Sequence, residues 1–183
     1  MYEVELKLRA DHDPLRERLD ARATRDRSVT QTDTYYDAPH RDFAETDEAV
    51  RVRVETDHEA SVAKLTYKGP LLDSESKTRE EHETVVADEG AVRGILDGLG
   101  FEPAATVEKD RVFYTLDGYT VTLDAVTDLG EFVEIETEVE TEAEIPAARD
   151  RARDLLSDLG VDHDDTIRTS YLGMLLSNSD TPQ

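Results

Sequence analysis

Met1-Tyr2-Glu3-Val4-Glu5-Leu6-Lys7-Leu8 alternates without a break. On a β-strand, Tyr2, Val4, Leu6 and Leu8 point one way and Glu3, Glu5 and Lys7 the other, because successive side chains leave a strand on opposite faces. The apolar face belongs in a core. The opposite face, two carboxylates and an ammonium in register, is either a solvated sheet surface or one wall of a site. Which of the two holds depends on whether the pattern recurs.

It recurs along most of the chain. Val50, Val52 and Val54 oppose Arg51, Arg53 and Glu55 in a strand over 49–55, and Ala63, Leu65 and Tyr67 oppose Lys64, Thr66 and Lys68 over 61–68. Gly69-Pro70 is read as the end of that strand, since proline has no N–H to give a ladder. A polar loop is expected at 71–76. Arg79, Glu81 and Glu83 share one side of a strand over 77–86, and Lys109 and Arg111 share one side over 106–116. The Asp117-Gly118 hairpin signal leads to a strand over 119–126, in which Thr120, Thr122 and Asp124 oppose Val121, Leu123 and Ala125. Glu134, Glu136 and Glu138 line one side of 131–139. A Thr- and Tyr-rich stretch over 28–36 makes about eight strands in all.

Helices punctuate the strands. Asp13 is the expected cap of a helix running to about Ala23, with Pro14 in its first turn. Asp88 caps a helix whose Val92, Ile95, Leu96 and Leu99 form an i, i+3, i+4, i+7 stripe, predicted to face a core. Pro146 opens a helix carrying Ala152, Leu155, Leu156 and Leu159, stopped at Gly160. A last helix near 166–176 presents Ile167, Tyr171, Met174 and Leu175, and 178–183 is a polar tail. One domain over 1–177 follows.

Composition narrows the function. Asp and Glu number 44 against 21 Lys and Arg, for a formal charge of −23. Such a field repels nucleic acid and anionic membrane, so neither is an expected partner. No apolar run is long enough to span a bilayer, no secretory signal pattern opens the chain, and the absence of cysteine excludes thiolate chemistry and disulfides. A cytoplasmic protein is expected, and the acidic excess with few lysines points to a high-salt cytoplasm. A homodimer is compatible with the sequence. The five lysines are Lys7, Lys64, Lys68, Lys77 and Lys109. Four of them sit in predicted strands, on faces that also carry other charges, and a solvated face in so acidic a chain would carry Asp and Glu instead. The five histidines are scattered and read as surface or loop residues.

Two architectures fit: an open antiparallel sheet with helices on its apolar face, or an α+β fold whose closed eight-stranded barrel carries the charges inside and the helices outside. In the barrel, Lys7, Arg51, Arg53, Lys64, Lys68, Arg79, Lys109 and Arg111 share a lumen with Glu3, Glu5, Asp124, Glu134 and Glu136. Burying so much charge is costly unless it is paired, hydrated or bound to a ligand. The basic set suits a polyphosphate, and the carboxylates suit hard cations. Without a Gly-rich phosphate loop, a P-loop reading fails.

These stretches resemble the CYTH superfamily, the triphosphate tunnel metalloenzymes. The resemblance rests on Glu3-Val4-Glu5-Leu6-Lys7, Gln31-Thr32-Asp33-Thr34-Tyr35-Tyr36-Asp37, Arg51-Val52-Arg53, Lys64-Leu65-Thr66-Tyr67-Lys68-Gly69-Pro70, Arg79-Glu80-Glu81, Lys109-Asp110-Arg111, Leu123-Asp124 and Leu129-Gly130-Glu131-Phe132-Val133-Glu134-Ile135-Glu136. The Lys-Gly-Pro and Leu-Gly-x-Phe-Val-Glu-Ile-Glu stretches look most like the class IV adenylyl cyclase branch. The resemblance implies Mg²⁺ or Mn²⁺ on Glu3, Glu5, Asp124, Glu134 and Glu136, and a triphosphate gripped by Lys7, Arg51, Arg53, Lys64, Lys109 and Arg111. Lys68, Arg79 and Glu81 are implied as lumen neighbours, the first two as further substrate contacts. Glu3, Glu5, Lys7, Arg51, Arg53, Lys109 and Arg111 are the expected catalytic set. The implied activities are adenylyl cyclase or triphosphatase on inorganic triphosphate, thiamine triphosphate or a nucleotide. A polyphosphate-binding module without turnover and a purely structural sheet are the rival readings.

Overall fold

The computed structural model describes residues 2–72 and 76–179. Met1, residues 73–75 of the expected polar loop and residues 180–183 of the expected tail lie outside the described residues.

Eight antiparallel strands close into a barrel. They are β1 (Tyr2–Arg9), β2 (Thr24–Asp37), β3 (Ala49–Thr56), β4 (Ser61–Leu71), β5 (Arg79–Val86), β6 (Glu102–Leu116), β7 (Tyr119–Val126) and β8 (Gly130–Val139), in the order β1-β5-β4-β3-β2-β6-β7-β8. Closure is what an all-amphipathic set of strands achieves: it removes both edges and gives every charged face one shared interior. The seams are unequal. Eight register pairs join β1 to β8, from Tyr2 opposite Val139 to Arg9 opposite Phe132. Two pairs, Tyr2 with Glu80 and Glu3 with Arg79, join β1 to β5.

The apolar faces point outward, under helices α1 (His12–Arg22), α2 (Phe43–Thr46), α3 (Glu89–Gly98), α4 (Ile145–Asp158) and α5 (Tyr171–Ser179). Leu6, Leu8, Val121, Leu123, Val133 and Ile135 meet Leu15 and Leu19 of α1 and Ala152, Leu155 and Leu156 of α4 in the main core. A second core puts Tyr36, Val50 and Val52 against Phe43 of α2 and Leu96 of α3. The third lies across the barrel's end, where Val107, Val126 and Phe132, in phase with the lumen residues of their strands, meet Tyr171. Met174 and Leu175 of α5 flank it with Ile167, which precedes the helix because α5 begins at Tyr171 rather than near 166, so apolar surface stoppers that end.

Four expectations need correction. The first helix is capped by Asp11, whose carboxylate accepts from the Asp13 N–H at 3.2 Å; Asp13 lies inside the first turn. Gly69-Pro70 does not end β4. The strand runs on to Leu71 across a register shift between Lys68 and Leu71, and within that irregularity the missing proline N–H costs no ladder bond. The α3 stripe is only partly covered. Leu96 is buried and Val92 half-buried, but Ile95 and Leu99 are 60% and 63% exposed, because the short helix rests on the barrel by one edge. His12 is buried rather than superficial, its ring 2.9 Å from the Phe132 carbonyl oxygen.

The two kinds of leucine predict different costs. Leu155→Ala, in the main core, should lower unfolding free energy by about 2–5 kcal/mol, and Leu99→Ala by less than about 0.5 kcal/mol. Urea melts of both variants check this.

Candidate active site in the barrel lumen

Directly paired residues on antiparallel strands share a face, so register alone brings the charged residues together. Lys7 faces Glu134, Arg111 faces Asp124, Asp33 faces Arg53 and Lys68 faces Glu81. Every one of these register pairs is an ion pair. The tunnel has a volume of about 1670 Å³, larger than the roughly 300–1,000 Å³ that small-molecule sites occupy. It has room for a nucleoside triphosphate with ions and water.

The five carboxylates expected to bind metal separate into two groups. One oxygen each from Glu3, Glu5 and Glu136 lies within 4.8 Å of the others. Asp124 and Glu134 are instead held on the Arg111 guanidinium, which bonds Asp124 through Nε at 2.6 Å and reaches both carboxylates through its Nη2. Asp124 also accepts from the Tyr171 hydroxyl at 2.9 Å, and Glu134 pairs with Lys7 at 3.1 Å. Burial alone would push Glu134 up, but Arg111 and Lys7 hold it well below the usual carboxylate range.

The three clustered carboxylates differ in their partners. Glu3 pairs with Lys68 at 2.9 Å; against the effect of burial, that ammonium brings Glu3 down to about 2. Glu5 pairs with Lys77 at 2.9 Å and Lys7 at 3.6 Å. Glu136 has no Lys or Arg within 4 Å among the described residues, and burial together with Glu3 raises it to about 8. An oxygen-only donor set with one uncompensated carboxylate fits a hard divalent cation.

The cations are held with unequal firmness. Arg53 grips Asp33 through two bonds of 2.6 and 2.7 Å. Lys64 pairs with Glu83 at 3.0 Å, near the rim. Arg79 is tied to the carbonyl oxygens of Asp47 and Gly69. Arg51 is looser, 3.4 Å from Asp33 and 3.9 Å from Glu81 and Glu83. Lys109 is loosest. Its nearest carboxylates, Asp124 and Asp33, stand at 3.8 and 3.9 Å, and among the described residues it donates no hydrogen bond. Burial and the neighbouring Arg111 bring its ammonium down to about 7.

All thirteen lumen residues named from sequence are thus brought to this interior. Asp124, fully buried, sits behind the tunnel wall with Arg111 in front of it. Several residues were missed. Asp33, for which the sequence allows a site role or a turn or strand-end role, is buried at the centre of the basic set, and Arg53, Arg51 and Lys109 hold its carboxyl far below the ordinary range despite burial. Gln31 and Glu55 line the wall beside it, joined at 2.7 Å. Lys77 reaches Glu5 from outside any strand. Tyr171 lies under Lys7, its ring centroid 3.9 Å from the ammonium. Of the two tyrosines after Asp33, Tyr36 lies in the second core and Tyr35 on the lumen side. Phase was the available signal: Asp33 and Tyr35 alternate with Gln31, and Lys77 with Arg79 and Glu81.

A closed barrel with a charged, ion-paired lumen and a carboxylate cluster defines the class: a tunnel-barrel protein with a polar interior. The family model described as CYTH domain matches residues 1–171. The chain belongs to the CYTH family, whose members act on triphosphates with divalent metal ions. It is 36% identical over 142 residues to "Putative adenylate cyclase MJ0240" of Methanocaldococcus jannaschii, covering 78% of this chain and 79% of that protein. The structure of PH1819 protein from Pyrococcus horikoshii superposes with a TM-score of 0.91 at 41% identity, over 96% of this chain and 99% of that one. HpAC1 from Hippeastrum, described as revealing a dominant triphosphatase activity, shares the fold at 19% identity and a TM-score of 0.66, over 97% of this chain and 95% of that one.

Glu136 supplies a test of the lumen electrostatics. A carboxyl raised to about 8 when folded loses stability as pH climbs from its unfolded value of about 4.3 towards 8, because the unfolded chain releases its proton first. Glu136→Gln should therefore raise the Tm of the metal-free protein more at pH 8 than at pH 5. Calorimetric melts at the two pH values measure the difference.

Proposed function

We propose that the protein is a divalent-metal-dependent enzyme acting on a triphosphate, and that its reaction is adenylyl cyclisation, ATP to cyclic AMP and pyrophosphate. The observation that carries this reading is the pairing of two features in one tunnel. Loosely tethered cations, Lys109 and Arg51, lie along it with Lys64 towards its more exposed side, and Glu3, Glu5 and Glu136 cluster with no Lys or Arg within 4 Å of Glu136 among the described residues. The names of the archaeal relative and of the branch it resembles favour the cyclase.

In this reading Glu3, Glu5 and Glu136 hold Mg²⁺ or Mn²⁺, with Asp124 and Glu134 acting through Arg111. When bound, the ions polarise the α-phosphate and offset the charge of the chain. Lys109, Arg51, Arg53, Lys64 and Arg111 clamp the triphosphate, with Lys7, Lys68 and Arg79 completing the wall, and they stabilise the departing pyrophosphate. The ribose hydroxyl gives up its proton to solvent and its oxygen bonds the α-phosphorus, as the bond from that phosphorus to the bridging oxygen breaks and pyrophosphate leaves with that oxygen. Asp33 keeps Arg53 in place. Residues 1–177 would form the whole catalytic domain. A second reading, triphosphatase, uses the same clamp with water as the nucleophile. The activity described for HpAC1 favours it.

Product analysis with ATP, inorganic triphosphate and thiamine triphosphate, each with Mg²⁺ and Mn²⁺ at high salt, separates the readings. Cyclic AMP is expected from ATP. Phosphate release from inorganic triphosphate with no cyclic AMP under any condition overturns the cyclase in favour of the hydrolase. Glu3→Gln and Glu5→Gln should each reduce turnover by roughly 10²–10³-fold without unfolding the barrel, and Lys7→Ala should weaken triphosphate binding in calorimetry. Full activity in both Gln variants would remove β1 from the mechanism.

A further inference from the structure

Lys77 is a lumen cation that no strand carries. It sits in the segment 76–78, just before β5, where the barrel's thinnest seam leaves β1 short of a partner. The segment supplies that partner, since the Lys77 N–H donates to the Glu5 carbonyl oxygen at 3.0 Å; on its other side it is held to the end of β4, where the Leu72 N–H donates to the Thr78 carbonyl oxygen at 2.8 Å. Ser76 and Thr78 are fully buried on either side, their hydroxyls 2.6 Å apart. The backbone of Lys77 is therefore anchored, and its side chain enters the lumen from a fixed root.

The ammonium ends 2.9 Å from Glu5 Oε1, and the Lys7 ammonium stands 3.6 Å from the same oxygen. Two positive charges thus crowd one carboxylate oxygen, while Glu136, a member of the same cluster, has none within 4 Å among the described residues. The two lysines are not equivalent. Lys7 has a second carboxylate, Glu134, at 3.1 Å. Among the described residues Glu5 is the one carboxylate within 4 Å of Lys77. A divalent cation on the cluster needs the Glu5 oxygens and repels both ammoniums. Lys7 keeps its place through Glu134; Lys77 has no such hold.

We propose that Lys77 is a built-in place-holder for the divalent cation: its ammonium neutralises Glu5 while the cluster is metal-free, gives up that carboxylate when the metal binds, and is thereby freed towards the anionic triphosphate in the tunnel. The inference rests on the metal reading above. It makes metal binding an exchange of one cation for another, so Lys77 weakens the metal's affinity in the absence of substrate. A released ammonium beside the triphosphate couples the two ligands, and by linkage that coupling acts equally in both directions.

The test is a calorimetric titration of Mn²⁺ into the triphosphate-free protein at fixed ionic strength. Wild type is compared with Lys77→Met, Lys77→Arg, Lys64→Met and Glu136→Gln. Lys77→Met should bind Mn²⁺ roughly tenfold more tightly, and Lys77→Arg and Lys64→Met within about threefold of wild type. Equal affinity in Lys77→Met and wild type, with binding lost in Glu136→Gln, overturns this proposal and leaves the metal reading standing. Tightening in Lys64→Met as large as in Lys77→Met also overturns it, because the effect is then the general loss of positive charge. Binding in neither wild type nor Lys77→Met removes the metal reading with it. The unaltered protein gives a measurement independent of any variant's folding. Amine acetylation mapped by mass spectrometry should rise at Lys77 when Mg²⁺ is added, and unchanged labelling there overturns the proposal.

Discussion

Arg111 is the point on which the interior depends. Strand alternation forces half the residues of a closed barrel inward, and here that half is charged. Such an interior is stable only if most of its buried charge meets its opposite with its hydrogen bonds satisfied. Arg111 does this for two buried carboxylates on two different strands, Asp124 on β7 and Glu134 on β8, from a third strand, β6. Glu134 then holds Lys7 of β1, and Asp124 holds Tyr171 of the stopper helix. One guanidinium thereby ties four strands and the closing end of the barrel into a single network. The other wall has its counterpart in Asp33, which orders Arg53 firmly and Arg51 and Lys109 loosely.

This division of labour explains how a barrel can be both rigid and ready to bind. Fully satisfied pairs fix the wall. Partly satisfied groups face the space in the middle, and they are sorted by sign, with Lys109 and Arg51 short of carboxylate and Glu136 short of cation. Empty of ligand, the lumen is close to balanced in charge yet locally unpaired. That state is costly for a structural core and is the expected signature of a preorganised electrostatic site.

The barrel was legible in the sequence because its rule has period two, and alternation survives even in a chain with few hydrophobic residues. Most strands were located within a residue or two, and the inward set from Glu3 to Glu136 was found by phase. Three kinds of information were not. A proline reads as a strand end unless the bulge that accommodates it is known, so β4 appeared too short. A helical stripe says that one face is apolar, not that the fold has surface enough to cover it, so Ile95 and Leu99 were assigned to a core they do not reach. Which carboxylates share a cation and which share an arginine depends on the stagger between non-neighbouring strands. Residue types cannot separate Asp124 and Glu134 from Glu3, Glu5 and Glu136. Lys77 escaped for a related reason: its phase was visible, but its contact with Glu5 is made across the seam between β1 and a segment outside the strands.

That seam also sets the order in which the molecule can be made. Of the eight barrel strands β1 is synthesised first, and its main partner, β8, last. A nascent chain that ends before residue 130 offers β1 the two ladder pairs with β5 and the Lys77 backbone bond, and little else. Glu3, Glu5 and Lys7 must therefore wait, on an almost unpartnered strand, for more than a hundred further residues to be synthesised. Pairings so distant in sequence form late and slowly. The charged interior is consequently the last part of the barrel to close, and a chain that stops before residue 130 carries Glu3, Glu5 and Lys7 without Glu134 or Glu136 to face them.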